Sequence, residues 1–301
     1  VSSFFDEIAH NNTKSLVLLF IFSLFFIGII YLATLLFGGG PFVFAIGVIA
    51  VVLYALFTYY AGDKLVLAVS RAEEADPKQY ATLYSLVEGL SSATQIRAPK
   101  VYIIKDPNPN AFATGRRSQP SLAVTTGLLA TMNRSELEGV LGHEISHIAD
   151  NDILVMTIAI AFGAIIGLVA AFVRNSLFYG ARFRSGDRRE DNSGMIMLIA
   201  VAIGLLAPLF ALLIRLAISR KREYLADANG ARMTRNPAGL ASALKKIQTY
   251  SAKPNAQGII HANEVTAPLY FSNPFTTSSI MSLFSTHPPI EDRIKKLEKM
   301  Y

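Results

Sequence analysis

The sequence predicts a mainly α-helical, polytopic membrane protein with a small β-sheet and about four transmembrane helices. Three observations predict it. Hydrophobic residues make up 52% of the 301-residue chain, and the surplus is concentrated in four apolar stretches, Ser15 to Phe37, Pro41 to Ala61, Ile153 to Val173 and Met195 to Ile218. Each is about as long as the roughly 20 residues a helix needs to cross a bilayer, and buried helices of soluble domains rarely run so far without a charge. Outside these stretches apolar residues recur at helical spacing, as at Leu137, Val140, Leu141, Ile145 and Ile148. Two short runs, Val101 to Ile104 and Ser121 to Thr125, have strand character, with Asp106, Pro107 and Pro109 marking a loop between them.

The first apolar stretch is too long for the core of a signal peptide and lacks a small-residue cleavage site. It runs through Gly38, Gly39 and Gly40 into the second, so the two read as a retained membrane hairpin. Asp76 and Pro77 then open a helix with Tyr80, Leu83, Leu86, Val87 and Leu90 on its apolar face. After the strands, Asn133 followed by Glu136 resembles a capped helix start, and the helix it opens covers about residues 134 to 149. The third and fourth stretches follow as a second hairpin. Pro237 to Thr249 and Pro289 to Lys299 read as further helices.

The helix at 134 to 149 carries His143, Glu144, Ile145, Ser146 and His147, an H-E-x-x-H pattern. Residues four apart share a helix face, so both imidazoles can reach one metal ion while Glu144 lies beside it. A catalytic zinc site takes three protein ligands and keeps one position for water. The third must come from elsewhere. The metzincin pattern would need glycine and histidine downstream, where this chain has Asp150 and Ile153. With no cysteine in the chain, thiolate ligation and disulfides are both impossible, which leaves His10, His261, His287 or a carboxylate.

The hairpin narrows that choice. The motif helix ends just before Ile153 and the chain returns near Ile218, so two antiparallel helices bring residues around 147 and 223 to the same membrane face. Glu223 is then the natural third ligand. Asp227, one turn later, is placed to hydrogen-bond the free ring nitrogen of a ligating histidine. Pairing of both carboxylates with Arg220, Lys221 or Arg222 on a solvated helix is the alternative. The chain thus divides into an N-terminal transmembrane hairpin (1–61), a first catalytic part with the motif helix (62–152), a second transmembrane hairpin (153–218) and a second catalytic part with the third ligand (219–301).

Lys64, Arg71 and Lys78 follow the second stretch, and Arg220, Lys221 and Arg222 follow the fourth. Such flanks read as cytoplasmic, which puts both catalytic parts on the cytoplasmic side of a cell membrane. Arg174, Arg182, Arg184, Arg188 and Arg189, diluted by Asp187, Glu190 and Asp191, lie between stretches three and four; a fully spanning second hairpin would put them outside, and a shallow, non-spanning one is the alternative. The net charge of +6 is concentrated at these membrane ends, where it meets anionic lipid heads, and no nucleic-acid module is present.

Four motifs in this order resemble the HtpX-like membrane metalloproteases, relatives of the eukaryotic CAAX prenyl endopeptidases. They are Gly142-His143-Glu144-Ile145-Ser146-His147, Arg222-Glu223-Tyr224-Leu225-Ala226-Asp227, Asn110-Ala111-Phe112-Ala113-Thr114-Gly115, and Thr286-His287-Pro288-Pro289-Ile290-Glu291-Asp292-Arg293-Ile294. The resemblance covers nearly the whole chain, and Ser251 to Ser285 matches it only weakly. It implies a zincin-type metalloprotease domain with one zinc ion per subunit, held by His143, His147 and Glu223, with Glu144 as catalytic base. It also implies that Asn110 lies on a strand lining the cleft, that His287 lies near the substrate carbonyl, and that substrates are damaged or misfolded membrane proteins.

Zinc held by two imidazoles and a carboxylate lowers the pKa of its water to about 7, and Glu144 would take that proton and pass it to the leaving amine. His287 is placed as a second oxyanion donor, although Thr-His-Pro-Pro also reads as a turn that starts a helix. Asn110, Ala111, Phe112 and Ala113 are expected to offer backbone groups to an extended peptide by strand addition, Asn110 being equally readable as a turn residue. The expected function is therefore a membrane-anchored zinc endopeptidase. An intramembrane protease is disfavoured by Arg134, Glu136, Glu138 and Asp150 around the motif, and a transporter by apolar stretches with only Arg215 in them. A catalytically silent, zinc-stabilised scaffold remains as the alternative, one that gives Glu144 no use.

Overall fold

The computed structural model describes residues 4–37, 40–165, 220–251 and 288–300. It is mainly helical, with one small mixed sheet. Helices α1 (Phe4–Phe37) and α2 (Gly40–Val69) lie against each other. They contain the spans Asn11–Tyr31 and Gly40–Val69, the two described helices long and apolar enough by themselves to cross a membrane. Leu16, Phe20, Leu24, Phe42, Ile46, Ile49 and Leu53 are all exposed on them, an apolar surface far larger than water-facing domains carry.

The third apolar stretch begins as α6 (Ile153–Ile165), which meets the preceding helix α5 (Arg134–Ala149) at an 88° bend. Taken together, α5 and α6 would count as one more candidate span, so the described residues hold two or three where four were expected. The rest of the third stretch and all of Met195 to Ile218 lie outside the described residues. Leu154, Val155, Ile158, Ala159 and Phe162 of α6 are buried against Leu18, Leu19 and Phe22 of α1, with the Phe22 and Phe162 rings stacked 4.0 Å apart.

Helix α2 departs from helical geometry at Ala61 (φ −138°). Beyond that break its character changes. Val66 and Leu67 are buried among Ile104, Phe112, Ala123 and Ile160, so the last turns of a membrane-type helix become part of the core behind the sheet.

The sheet comprises β1 (Glu73–Glu74), β2 (Lys100–Ile104), β3 (Ala111–Arg116) and β4 (Gln119–Thr125), in the order β1-β2-β4-β3. β2 and β4 are parallel, and the other two pairs antiparallel. The loop from β2 to β3 is held by Asp106, whose Oδ1 accepts from the Asn108 backbone and side-chain N–H groups at 2.8 and 2.7 Å. β3 is an edge strand. Helix α3 (Ala81–Ala93) starts later than Asp76-Pro77 suggested, because Asp76 Oδ1 accepts from Lys78 N and closes a turn first. α4 (Thr126–Thr131) is capped by the Thr125 hydroxyl.

The remaining elements among the described residues are α7 (Arg220–Thr234), α8 (Pro237–Ser251) and α9 (Ile290–Glu298). Asn133 and Glu136 form a reciprocal capping box at the start of α5. α5 is the central helix, packed by α3, α7, α8 and β3. Its crossing with α7 is made by two glycines. A Cβ on Gly230 would stand 2.9 Å from His143 N and 3.1 Å from Gly142 C, so only glycine allows the two backbones this close.

Candidate metal centre

The α5–α7 crossing decides where the metal-binding groups meet. His143 and His147 lie one turn apart on α5, and Glu223 lies in the first turn of α7. Their ligand atoms gather within 4.8 Å of one another. His143 Nε2 and His147 Nε2 are 3.1 Å apart, and the Glu223 carboxylate oxygens stand 3.6 and 3.7 Å from them. Glu223 is 4% exposed.

The other ring nitrogens are already committed. His143 Nδ1 lies 2.9 Å from Asp227 Oδ1, and His147 Nδ1 lies 2.8 Å from Asp152 Oδ2. A carboxylate at Nδ1 holds a proton there, so in the neutral rings both Nε2 atoms turn lone pairs toward each other and Glu223, and without a metal a second proton can sit between them. Three converging electron pairs repel unless a cation sits among them. Metal–nitrogen bonds of about 2.0–2.1 Å in a tetrahedral sphere separate ligand nitrogens by about 3.3 Å, which these spacings fit.

The electrostatics say the same. Burial opposes a charged imidazolium at His147, yet Asp152 and then Glu223 and Glu144 outweigh it and push the ring up to about 10. The site attracts positive charge, whether a proton or a metal. Burial also favours neutral Asp227, but the Arg293 guanidinium beside it holds its carboxyl down at about 2. Arg293 binds Asp227 through Nε to Oδ2 at 2.8 Å and Nη2 to Oδ1 at 2.7 Å, and it is fully buried.

Glu144 is buried beside this group, and Oε2 accepts from the Ala113 backbone N–H at 3.0 Å. Burial raises its pKa, against the pull of His143 and His147. The β3 edge thus meets the carboxylate through its backbone. Ala111, Phe112 and Ala113 have buried side chains, Phe112 facing Val66 and Leu67, the two alanines facing the main core. Asn110 precedes the strand and is bonded to Thr125, whose N–H reaches Asn110 O at 2.9 Å and whose hydroxyl accepts from Asn110 N at 2.9 Å. Two groups at this edge are occupied, Ala113 N by Glu144 and Gly115 N by the Thr157 hydroxyl.

The structure therefore brings His143, His147, Glu223, Glu144 and Asp227 together, with Ala113 at their edge. His287 lies outside the described residues. Sequence reasoning missed Asp152 and Arg293. Asp152 follows the end of the motif helix, five residues past His147, where no helical spacing ties it to that ring. Arg293 carried a visible signal, since it occupies the apolar stripe Ile290, Arg293, Ile294 and Leu297, where an arginine requires a buried acidic partner.

Two histidines and a glutamate from two crossed helices, with a further buried carboxylate between them and an edge strand, form a group that could hold a metal ion. Residues 77–301 match Peptidase family M48. The chain belongs to that family. It is 43% identical to a Protease HtpX homolog of Dictyoglomus turgidum over 99% of this chain and 95% of the relative. A Protease HtpX homolog of Caldanaerobacter subterraneus subsp. tengcongensis is likewise 43% identical, over 97% and 96%. Among solved structures, S. mikatae Ste24p aligns with a TM-score of 0.45 and 17% identity, covering 96% of this chain and 65% of that one.

Proposed function

We propose that this family M48 protein is a zinc endopeptidase of a zincin-type fold, anchored in the cell membrane with its site on the cytoplasmic side. It would hydrolyse peptide bonds of misfolded or damaged proteins, membrane proteins among them. The observation that carries the reading is the convergence of His143 Nε2, His147 Nε2 and Glu223, with Glu144 in the same buried space.

Zinc, when bound, supplies an acidified water with a pKa of about 7 and an electrophile for the scissile carbonyl. His143, His147 and Glu223 would hold it. Asp227 and Asp152 fix the tautomers that leave both Nε2 atoms free for it. Glu144, raised in pKa by burial, takes the proton of the attacking water and delivers it to the leaving amine. An extended substrate would run along the β3 edge, with Asn110 and Ala111 beside it, and His287 would donate to the developing oxyanion.

The test compares the purified full-length protein with Glu144→Gln, measuring bound zinc and cleavage of an unfolded protein. Wild type should carry one zinc per chain and cleave. The variant should keep the zinc and lose proteolysis by a factor on the order of 100 or more. Equal proteolysis by both sinks the general-base assignment, while stoichiometric zinc without cleavage in wild type favours a silent scaffold. Cysteines introduced singly at Ser185 and Ser193, in a chain without native cysteine, test topology. Labelling only from the cytoplasmic side supports a shallow second hairpin.

A further inference from the structure

We propose that Asn11 and Asn12 of the first membrane helix are positioning residues for the metal centre, acting through the turn that ends α5. The inference rests on the metallopeptidase reading above.

α5 ends at Asp150, and Asn151 adopts the left-handed conformation with φ 56°. Asn151 N donates to Ile148 O, and Asp152 N donates to His147 O, each at 3.2 Å. This pair of bonds is a Schellman cap, which folds the second residue past the helix end back over the third residue before it. Here those two residues are Asp152 and His147. The cap therefore sets the carboxylate that holds His147 Nδ1 at 2.8 Å, and with it the direction of the Nε2 lone pair.

The cap does not stand alone. Asn151 Oδ1 accepts from Arg117 N at 3.1 Å, which leaves its Nδ2 to donate, and that group donates to Asn12 Oδ1 at 2.5 Å. Asn11 Nδ2 donates to Asp150 O at 2.9 Å, and Arg117 Nη1 donates to Ala149 O at 2.9 Å. These last two bonds satisfy end-of-helix carbonyls that a helix cannot pair for itself. Asn11, Asp150, Asn151 and Asp152 are all buried. Glycine would serve the left-handed backbone better than asparagine. What asparagine adds is the side-chain tie to α1 and to the β3–β4 hairpin, so the first membrane helix is built into the support of a metal ligand.

The test uses full-length protein in lipid nanodiscs, with Asn151→Gly, the double variant Asn11→Ala/Asn12→Ala, and Lys105→Ala as a control that breaks only an exposed ion pair with Glu73. Asn151→Gly keeps the left-handed backbone and removes only the side-chain ties. Each protein is loaded with Co2+ for its visible spectrum, titrated with zinc against a chelator, and assayed for kcat and KM. Both asparagine variants should shift the Co2+ bands, weaken zinc by roughly tenfold and lower kcat with little change in KM, with the control unchanged. If the double variant does not fold, Asn151→Gly decides. Wild-type bands and zinc affinity in a folded Asn151→Gly protein would overturn the proposal, even with kcat reduced. A wild-type protein that binds no metal would instead overturn the reading on which it rests.

Discussion

Arg293 grips both carboxylate oxygens of Asp227, at 2.7 and 2.8 Å, and the same carboxylate lies 2.9 Å from His143 Nδ1. The C-terminal helix α9 thereby reaches the candidate metal centre through two buried residues. A bidentate arginine leaves Asp227 ionised where burial alone would neutralise it. The ionised form is the one that orients a neutral histidine.

Removing the arginine alone would strand that charge. Arg293→Met should destabilise the protein by about 3–5 kcal/mol, the usual effect of breaking a buried pair from one side. Adding Asp227→Asn to it should recover part of the loss. Denaturant melts of the two single variants and the double variant check this, and strict additivity would show that the pair is not coupled.

The third ligand is testable directly. Glu223→Ala leaves only His143 and His147, and should lose most of the bound metal at micromolar free zinc while α5 stays folded. Metal analysis after dialysis reads the result. Undiminished stoichiometry would move the third ligand to another residue.

Glycine substitutions separate backbone contact from helix propensity. Gly230→Ala places a Cβ 2.9 Å from His143 N, a backbone atom that cannot yield cheaply, so the roughly 1 kcal/mol propensity gain is outweighed by overpacking of about 1–3 kcal/mol. Gly89→Ala, on the exposed side of α3 with nothing within 4 Å of the new Cβ, should instead stabilise by about 0.5–1 kcal/mol. Melting temperatures should move in opposite directions.

The metal-free protein has a pH signature. His147 lies at about 10 in the folded chain against 6.5 when unperturbed, so the folded state holds a proton that the unfolded state has lost above that lower value. Its stabilising contribution is full below 6.5 and fades as pH rises through about 10. A metal must displace that proton, so zinc affinity should rise over the same interval, with proton release on binding. Melts without metal and zinc competition titrations across this range test both signs. A zinc affinity that is flat with pH would argue against a protonated His147.

Near neighbours in the chain encode α5, with its H-E-x-x-H motif and capping box, the apolar span of α2, and strands β2 and β4. Periodicity, capping and β-branched runs express themselves within a turn or a strand, so they can be read from the sequence alone. Which carboxylate serves which histidine is not local. Asp227 and Asp152 each stand beside one ring because α7 crosses α5 at Gly142 and Gly230, and because a left-handed Asn151 folds the chain back on His147. The Arg293 clamp and the bond from Ala113 to Glu144 likewise join segments 66 and 31 residues apart. Sequence alone determined which groups are present and which share a helix face. Only packing decided their partners, because a metal-binding sphere needs angstrom-scale convergence of side chains from separate segments, and that is set by backbone approach rather than by any pattern along the chain.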